Sequence, residues 1–161
     1  MRSSTTTQPE DDAMARRPGG RNAVAPAELA RVAAFRTALR RFFRRTDDVA
    51  ARAGLTSQRY DLLLMISTAG SKTGVRVTEL CELLQLQQTA VTELVKRTEQ
   101  AGLIERHASP DDGRVSLLTL TREGERRLML AVEALRDDRE ALARTLLEFD
   151  ARVDAVGARP G

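Results

Sequence analysis

At 161 residues the chain is long enough to bury a core without staples. It is short enough to be one compact domain, or one domain with an extended dimerisation element. A single cysteine excludes an internal disulfide, and a single histidine argues against a histidine-built metal site within one chain. The formal charge is only +3, yet the isoelectric point is near 9.7, because all but Lys72 and Lys96 of the 26 basic residues are arginine.

The first 25 residues are rich in Ser, Thr, Gln, Pro and Gly and lack the apolar core of a signal peptide, so residues 1–25 are expected to be a disordered tail. No apolar run reaches the ~18–20 residues of a membrane span. The expected location is the cytoplasm, with no membrane partner. Pro26 suits the first turn of a helix. Val32, Phe35, Leu39, Phe42 and Val49 then recur at three- and four-residue steps, with Thr46 at the missing step, which predicts an amphipathic helix over 26–52. At ~1.5 Å per residue it is about 40 Å long, enough to reach across a dimer. Gly54 ends it. Its cluster Arg40, Arg41, Arg44 and Arg45 fits either a phosphate-facing surface or a solvated face whose stems cover apolar neighbours.

Thr56 or Ser57 can cap the next helix. Tyr60, Leu62, Leu63, Leu64, Met65 and Ile66 make it apolar nearly all round, hence central and buried, ending near Gly70. Val77, Leu80, Cys81 and Leu84 mark a short helix, a break follows at residues 85–88, and Val91, Leu94, Val95 and Thr98 mark another. Two strands, roughly 103–107 and 115–120, flank the turn Ser109-Pro110-Asp111-Asp112-Gly113-Arg114, where Pro110 and Gly113 supply turn chemistry. Asp112 can cap that turn or hold Arg114. Two short helices joined tightly and followed by a basic-tipped hairpin are the layout of a winged helix-turn-helix, whose second helix enters the DNA major groove. The apolar stripe of that helix leaves Gln88, Thr89, Thr92, Glu93 and Lys96 pointing outward. Such a face is often mere solvated surface, but the neighbouring Arg97, Arg106 and Arg114 favour a face turned to bases.

A long helix is expected from Thr121 to about Phe149 or Val153. Leu128, Val132, Leu135, Leu142, Leu146, Phe149 and Val153 form a heptad-like seam with one gap at Asp138-Arg139. Such a seam is too long for a small winged domain to cover, so a partner subunit is its expected cover. Cys81 lies on an apolar stripe and reads as a buried structural thiol rather than a redox sensor. His107 reads as exposed surface, and Asp47-Asp48 and Asp137-Asp138 as solvated faces. No nucleophile–base pair or paired carboxylate emerges, so no enzyme, metal or cofactor is expected.

The chain resembles the MarR family of transcriptional regulators over roughly residues 30–140. The residues that carry the likeness are Leu55-Thr56-Ser57-Gln58, Thr78-Glu79-Leu80, Val91-Thr92 with Leu94-Val95, Gly102-Leu103-Ile104, Pro110 to Arg114, and Leu120-Thr121 with Gly124. The resemblance implies a mainly α fold with a small β wing, in one winged domain over 26–155. Its parts are a DNA-binding lobe at 55–120 and dimerisation helices at 26–52 and 121–150. It also implies a homodimer on a pseudopalindromic double-stranded operator, most often as a repressor released by a small, often aromatic, effector. The implied DNA contacts are Gln87, Gln88, Thr89, Thr92, Lys96, Arg97, Arg106, Asp112 and Arg114. Asp112 would orient Arg114 in the minor groove. Phe42, Phe43, Tyr60 and Met65 are the candidate effector lining, each of which also reads as core.

Three departures from the family pattern stand out. Gly113 replaces a usual basic residue of the wing. Glu93 replaces a frequent Arg or Lys, and would either repel phosphate or accept from a cytosine N4. No separate final helix is expected after about residue 150. Glu93 and Gly113 leave open an alternative, a winged-helix interaction protein with weak or lost DNA binding.

Overall fold

The structure is a computed structural model that describes residues 24–70 and 74–157. The tail expected at residues 1–25 lies outside it, apart from Val24 and Ala25, as does the side chain of Val153. The element order is α1 (Pro26–Arg52), α2 (Ser57–Ala69), α3 (Val77–Leu84), α4 (Gln88–Gln100), β1 (Ile104–Ala108), β2 (Ser116–Leu120), α5 (Arg122–Ala134) and α6 (Arg136–Gly157). The expected fold class, mainly helical with a small β wing, is the one observed.

Helix α1 keeps the expected bounds, with Pro26 in its first turn. Thr46, at the missing apolar step, is buried and donates its hydroxyl proton to the Phe42 carbonyl at 3.0 Å. A polar group can occupy that core position because its hydrogen bond is made locally. The chain leaves α1 through Gly54, whose φ of +71° suits a residue without a Cβ. The Leu55 N–H then reaches back to the Ala50 carbonyl at 2.8 Å, and Leu55 drops into the core. Thr56, one of the two expected caps, accepts from the Arg59 N–H at 3.3 Å and opens α2. Ser57 instead donates to the Asp47 carboxylate, so Asp47 is not merely solvated. Leu62, Leu63 and Ile66 make α2 the centre of the core, against Leu80, Val91, Val95, Leu103, Leu118 and Leu128.

The hairpin strands lie one residue later than expected at the start of each. Leu103 is withheld from β1 because its N–H caps α4 at the Thr98 carbonyl, 3.2 Å away. Val115 is withheld from β2 because its N–H closes the turn on the Asp112 carbonyl at 2.9 Å. The strands pair antiparallel from Ile104↔Leu120 to Ala108↔Ser116, and Val75 adds a bridge to Leu118. Thr121 caps α5 by accepting from the Gly124 N–H at 3.1 Å and donates to the Gly102 carbonyl at 2.7 Å. A Cβ on Gly124 would come within 2.0 Å of the Leu103 carbonyl oxygen. The Leu-Thr-x-x-Gly segment therefore seats α5 directly on the base of the wing.

The single long C-terminal helix is not what forms. It breaks at Leu135 into α5 and α6. Leu128, Ala131 and Leu135 are buried in the lobe's own core, so the first half of the seam needs no partner. Beyond the break, the Arg139 guanidinium donates to the Val132 carbonyl at 2.6 Å. A side chain inserted at a helix carbonyl is a recognised cause of such a kink. The break thus falls at Leu135, just before the gap at Asp138-Arg139, which lies in the first turn of α6. Asp138 pairs with Arg45 at 3.2 Å, and the Phe35 and Phe149 rings meet at 5.1 Å. Helix α6 therefore lies along α1 of the same chain. Residues 136–157 form a helix of their own, where one long helix from Thr121 was expected.

Candidate nucleic-acid interface

Helix α4 buries Val91, Leu94, Val95 and Thr98 and turns its other side to solvent. At 3.6 residues per turn, Thr89, Glu93, Lys96 and Gln100 fall on one row opposite the buried stripe, flanked by Gln88 and Thr92. All six are exposed, as is Gln87 at the N-cap. The Thr92 hydroxyl donates to the Gln88 carbonyl at 2.7 Å, so outward it offers a methyl group and lone pairs. Arg97 folds its Nε back toward the Glu93 main-chain carbonyl at 3.3 Å, and its own carbonyl accepts from Arg59 at 3.2 Å.

The short turn before α4 depends on Gln85, a non-glycine residue at φ 54°, ψ 40°. Its side-chain amide donates to the Glu82 carbonyl at 2.7 Å, and the Leu86 N–H reaches the Cys81 carbonyl at 3.2 Å. These bonds satisfy carbonyls at the end of α3 that the helix itself leaves unpaired. Cys81 is half-buried rather than fully buried, with Sγ 3.2 Å from the Val77 carbonyl.

The wing is joined to α4 by an ion pair, Arg106 Nε to Glu99 at 2.9 Å. Arg106 thus stands at the wing's base with its charge shared, whereas Arg114 is exposed at the tip with no ion pair among the described residues. Of the two roles open to Asp112, the turn cap is the one observed. Its Oδ1 accepts from the Arg114 main-chain N–H at 3.0 Å. Exposed His107 lies 2.8 Å from the Thr119 hydroxyl and 3.4 Å from Glu105.

Arg59 was not singled out from sequence. With Thr56, Ser57, Gln58, Leu94 and Arg97 it lines an open recess of about 340 Å³ beside α4. Its position near the start of α2 was visible, but its contact with Arg97, 38 residues away, was not. The arginine cluster of α1 lies on the arm. Arg45 pairs with Asp138, and Arg40, Arg41 and Arg44 are exposed.

The four effector-lining candidates do not share one cavity. Tyr60 is buried in the core, and Met65 packs partly buried against it. Phe42 lines a small recess between α1 and α6, and Phe43 is 60% exposed, its ring edge-on to Phe42 at 6.0 Å. Burial raises the Tyr60 phenol above its ordinary pKa, with Arg139 opposing the shift. Partial desolvation, reinforced by the Asp47 charge, raises the carboxyl of the surface residue Asp61. Among the described residues no cluster of His, Cys, Asp and Glu could hold a metal, and no helix is long and apolar enough to cross a membrane.

Residues 53–115 match the MarR family. No curated protein matches the sequence. Among solved structures, the wild-type MarR of E. coli in its apo form is 20% identical and has a TM-score of 0.62, over 84% of this chain and 98% of that one. A cysteine-to-serine variant of that MarR complexed with operator DNA is also 20% identical, at a TM-score of 0.61 over 80% of this chain and 92% of that one. The transcriptional repressor CouR bound to a 23-mer DNA duplex is 25% identical, at a TM-score of 0.59 over 84% and 95%. Residues 53–115 thus match the MarR family in sequence, and the described chain has the winged helix-turn-helix fold of these structures.

Proposed function

We propose that the protein is a transcriptional regulator that binds double-stranded DNA sequence-specifically as a homodimer in the cytoplasm. The observation that carries this reading is the pairing of an exposed polar row on α4 with an exposed wing arginine, on elements tied together by Arg106 and Glu99. Gln, Thr and Lys can pair with base edges in the major groove, and an arginine suits a narrow, negative minor groove. Gln87, Gln88, Thr89, Thr92 and Lys96 are the proposed base-facing set. Arg97 and Arg106 sit beside phosphates, and Asp112 shapes the turn that presents Arg114. That the similar MarR and CouR structures are DNA-bound supports DNA binding as such.

Residues 55–120 form the proposed DNA-binding lobe, and α1 with α5 and α6 the dimerising part. Repression relieved by a small aromatic effector completes the reading. Of its proposed lining, Phe42 and Phe43 lie on the arm, whereas Tyr60 and Met65 pack in the core, so the proposed seat is on the Phe42 side.

Anisotropy titration with DNA from upstream of its own gene, at several salt concentrations, tests the function. Tight binding is expected, with log K falling linearly against log salt. Arg97→Ala should weaken all sequences alike and reduce the slope by about one unit. Salt-insensitive or absent binding to every duplex would leave a winged-helix interaction protein instead. Calorimetry against phenols and aromatic acids tests the effector. A ligand that binds must also lower DNA affinity.

A further inference from the structure

Helix α4 carries two carboxylates beyond its first turn whose surroundings differ. Glu99 is neutralised by Arg106 at 2.9 Å. Glu93 is exposed and has no ion pair among the described residues. The cation one turn further on does not quench it, because Arg97 directs its Nε to the Glu93 main-chain carbonyl. Glu93 sits in the middle of the outward row, between Thr89 and Lys96. An unpaired negative charge at the centre of a helix entering a phosphate-lined groove weakens binding to every sequence that offers it no hydrogen-bond donor.

We propose that Glu93 is a specificity-determining residue that accepts from the exocyclic amine of a cytosine, so that each operator half-site carries an obligatory C·G pair. This rests on the DNA-binding reading above. An ionised carboxylate accepts only, and the major groove offers just two donors, cytosine N4 and adenine N6. Adenine places its N7 acceptor beside N6, and thymine O4 lies across the pair, so a carboxylate at N6 meets lone pairs on both sides. Cytosine has C–H at that neighbouring position and meets only guanine O6 across the pair. Lys96 lies three residues on, about 4.5 Å along the helix axis. It is a pure donor, which fits guanine O6 and N7 in the same pair or the next. The acceptor Glu93 and the donor Lys96 thus suit the two strands of a C·G pair, in that order along the helix.

Selection from a random duplex library, followed by titration, tests this with the wild-type chain, Glu93→Gln and Glu93→Ala. Glu93 is exposed, and circular dichroism should show all three equally folded. The wild type should select one cytosine per half-site, and replacing that C·G by T·A should weaken binding about 10- to 100-fold. Glu93→Gln should move the preference to adenine, since an amide pairs with N6 and N7. Glu93→Ala should lose preference at that pair alone and bind random duplex more tightly at low salt. A wild-type motif without the cytosine, or a Glu93→Ala motif that keeps it, overturns the inference while the DNA-binding reading stands. If no form selects any motif, both fall.

Discussion

The Asp112 carboxylate holds the main-chain N–H of Arg114, 3.0 Å from Oδ1, and so shapes the wing turn while the guanidinium stays exposed. The Asp112 carbonyl closes the same turn on the Val115 N–H at 2.9 Å. Arg114 is therefore presented by backbone geometry, and the two residues can be separated experimentally. Asp112→Asn keeps a side-chain oxygen for the turn and should leave DNA affinity nearly unchanged. Asp112→Ala should weaken it mildly. Arg114→Ala should cost on the order of 1–3 kcal/mol per contact and relax any preference for A·T-rich flanks. Binding titrations with flank-swapped duplexes read all three. An unchanged Arg114→Ala would remove the wing from the interface.

The turn before α4 carries a built-in cost. A non-glycine residue in the left-handed region is disfavoured by roughly 1–2 kcal/mol, and Gln85 offsets part of this through its bond to the Glu82 carbonyl. Gln85→Gly should stabilise the fold by about 0.5 kcal/mol, because relief of strain slightly exceeds the lost side-chain bond. Gln85→Val should destabilise it by about 1–2 kcal/mol, because a β-branched residue tolerates that conformation least. Urea unfolding gives both signs. A less stable glycine variant would mean the side-chain bond outweighs the strain.

The arm leaves apolar side chains uncovered even after α6 has packed on α1. Leu147 is 69% exposed and Leu146 39%. As proposed parts of a dimer face, they should tolerate charge in the folded monomer but not in the dimer. Leu147→Asp should lower the mass seen by light scattering at micromolar concentration from twice 17.7 kDa toward the single-chain value, with helicity kept. Leu142→Asp should cost more stability, since Leu142 is half-buried beside α1. A wild-type chain that is monomeric and folded under these conditions would refute the dimer.

Hydrogen bonds from Arg126 and Arg127 hold the Glu123 carboxyl well below its usual range, at about 2 against an ordinary 4.5. A carboxylate whose folded pKa is depressed contributes stability that is fully present above its unfolded pKa and is lost as pH falls toward the folded one. The window for Glu123 is therefore about pH 4.5 down to 2. Because the carboxyl is open to solvent, screening keeps its share small. Glu123→Gln should flatten the fall in melting temperature across that window and leave the neutral-pH profile nearly parallel to wild type. Asp61 acts with the opposite sign. Its raised pKa makes its ionisation unfavourable to the fold, so Asp61→Asn should help slightly above that pKa and do nothing well below it. Melting curves taken from pH 7 to pH 2 check both signs.

Sequence by itself determined the elements whose causes are local. The step pattern and Pro26 bounded α1, Thr56 or Ser57 and the apolar run marked α2, and Pro110 with Gly113 marked the hairpin turn. Capping, periodicity and turn chemistry act over a few residues, so they can be read along one dimension. The outward row of α4 was equally legible, because burying Val91, Leu94, Val95 and Thr98 dictates what faces away. Tertiary structure decided the rest. A heptad seam with one gap reads the same in a straight helix and a broken one. The break at Leu135 follows from that side chain entering the lobe and from Arg139 taking the Val132 carbonyl. Whether an arginine is free or paired is likewise a distance in space. Arg106 meets Glu99, Arg45 meets Asp138 and Arg59 meets the Arg97 carbonyl, while Arg114 meets no acidic group among the described residues. Tyr60 and Met65 resolve as core for the same reason. An apolar side chain reads identically whether it fills a core or lines a cavity, and only the packing around it separates the two.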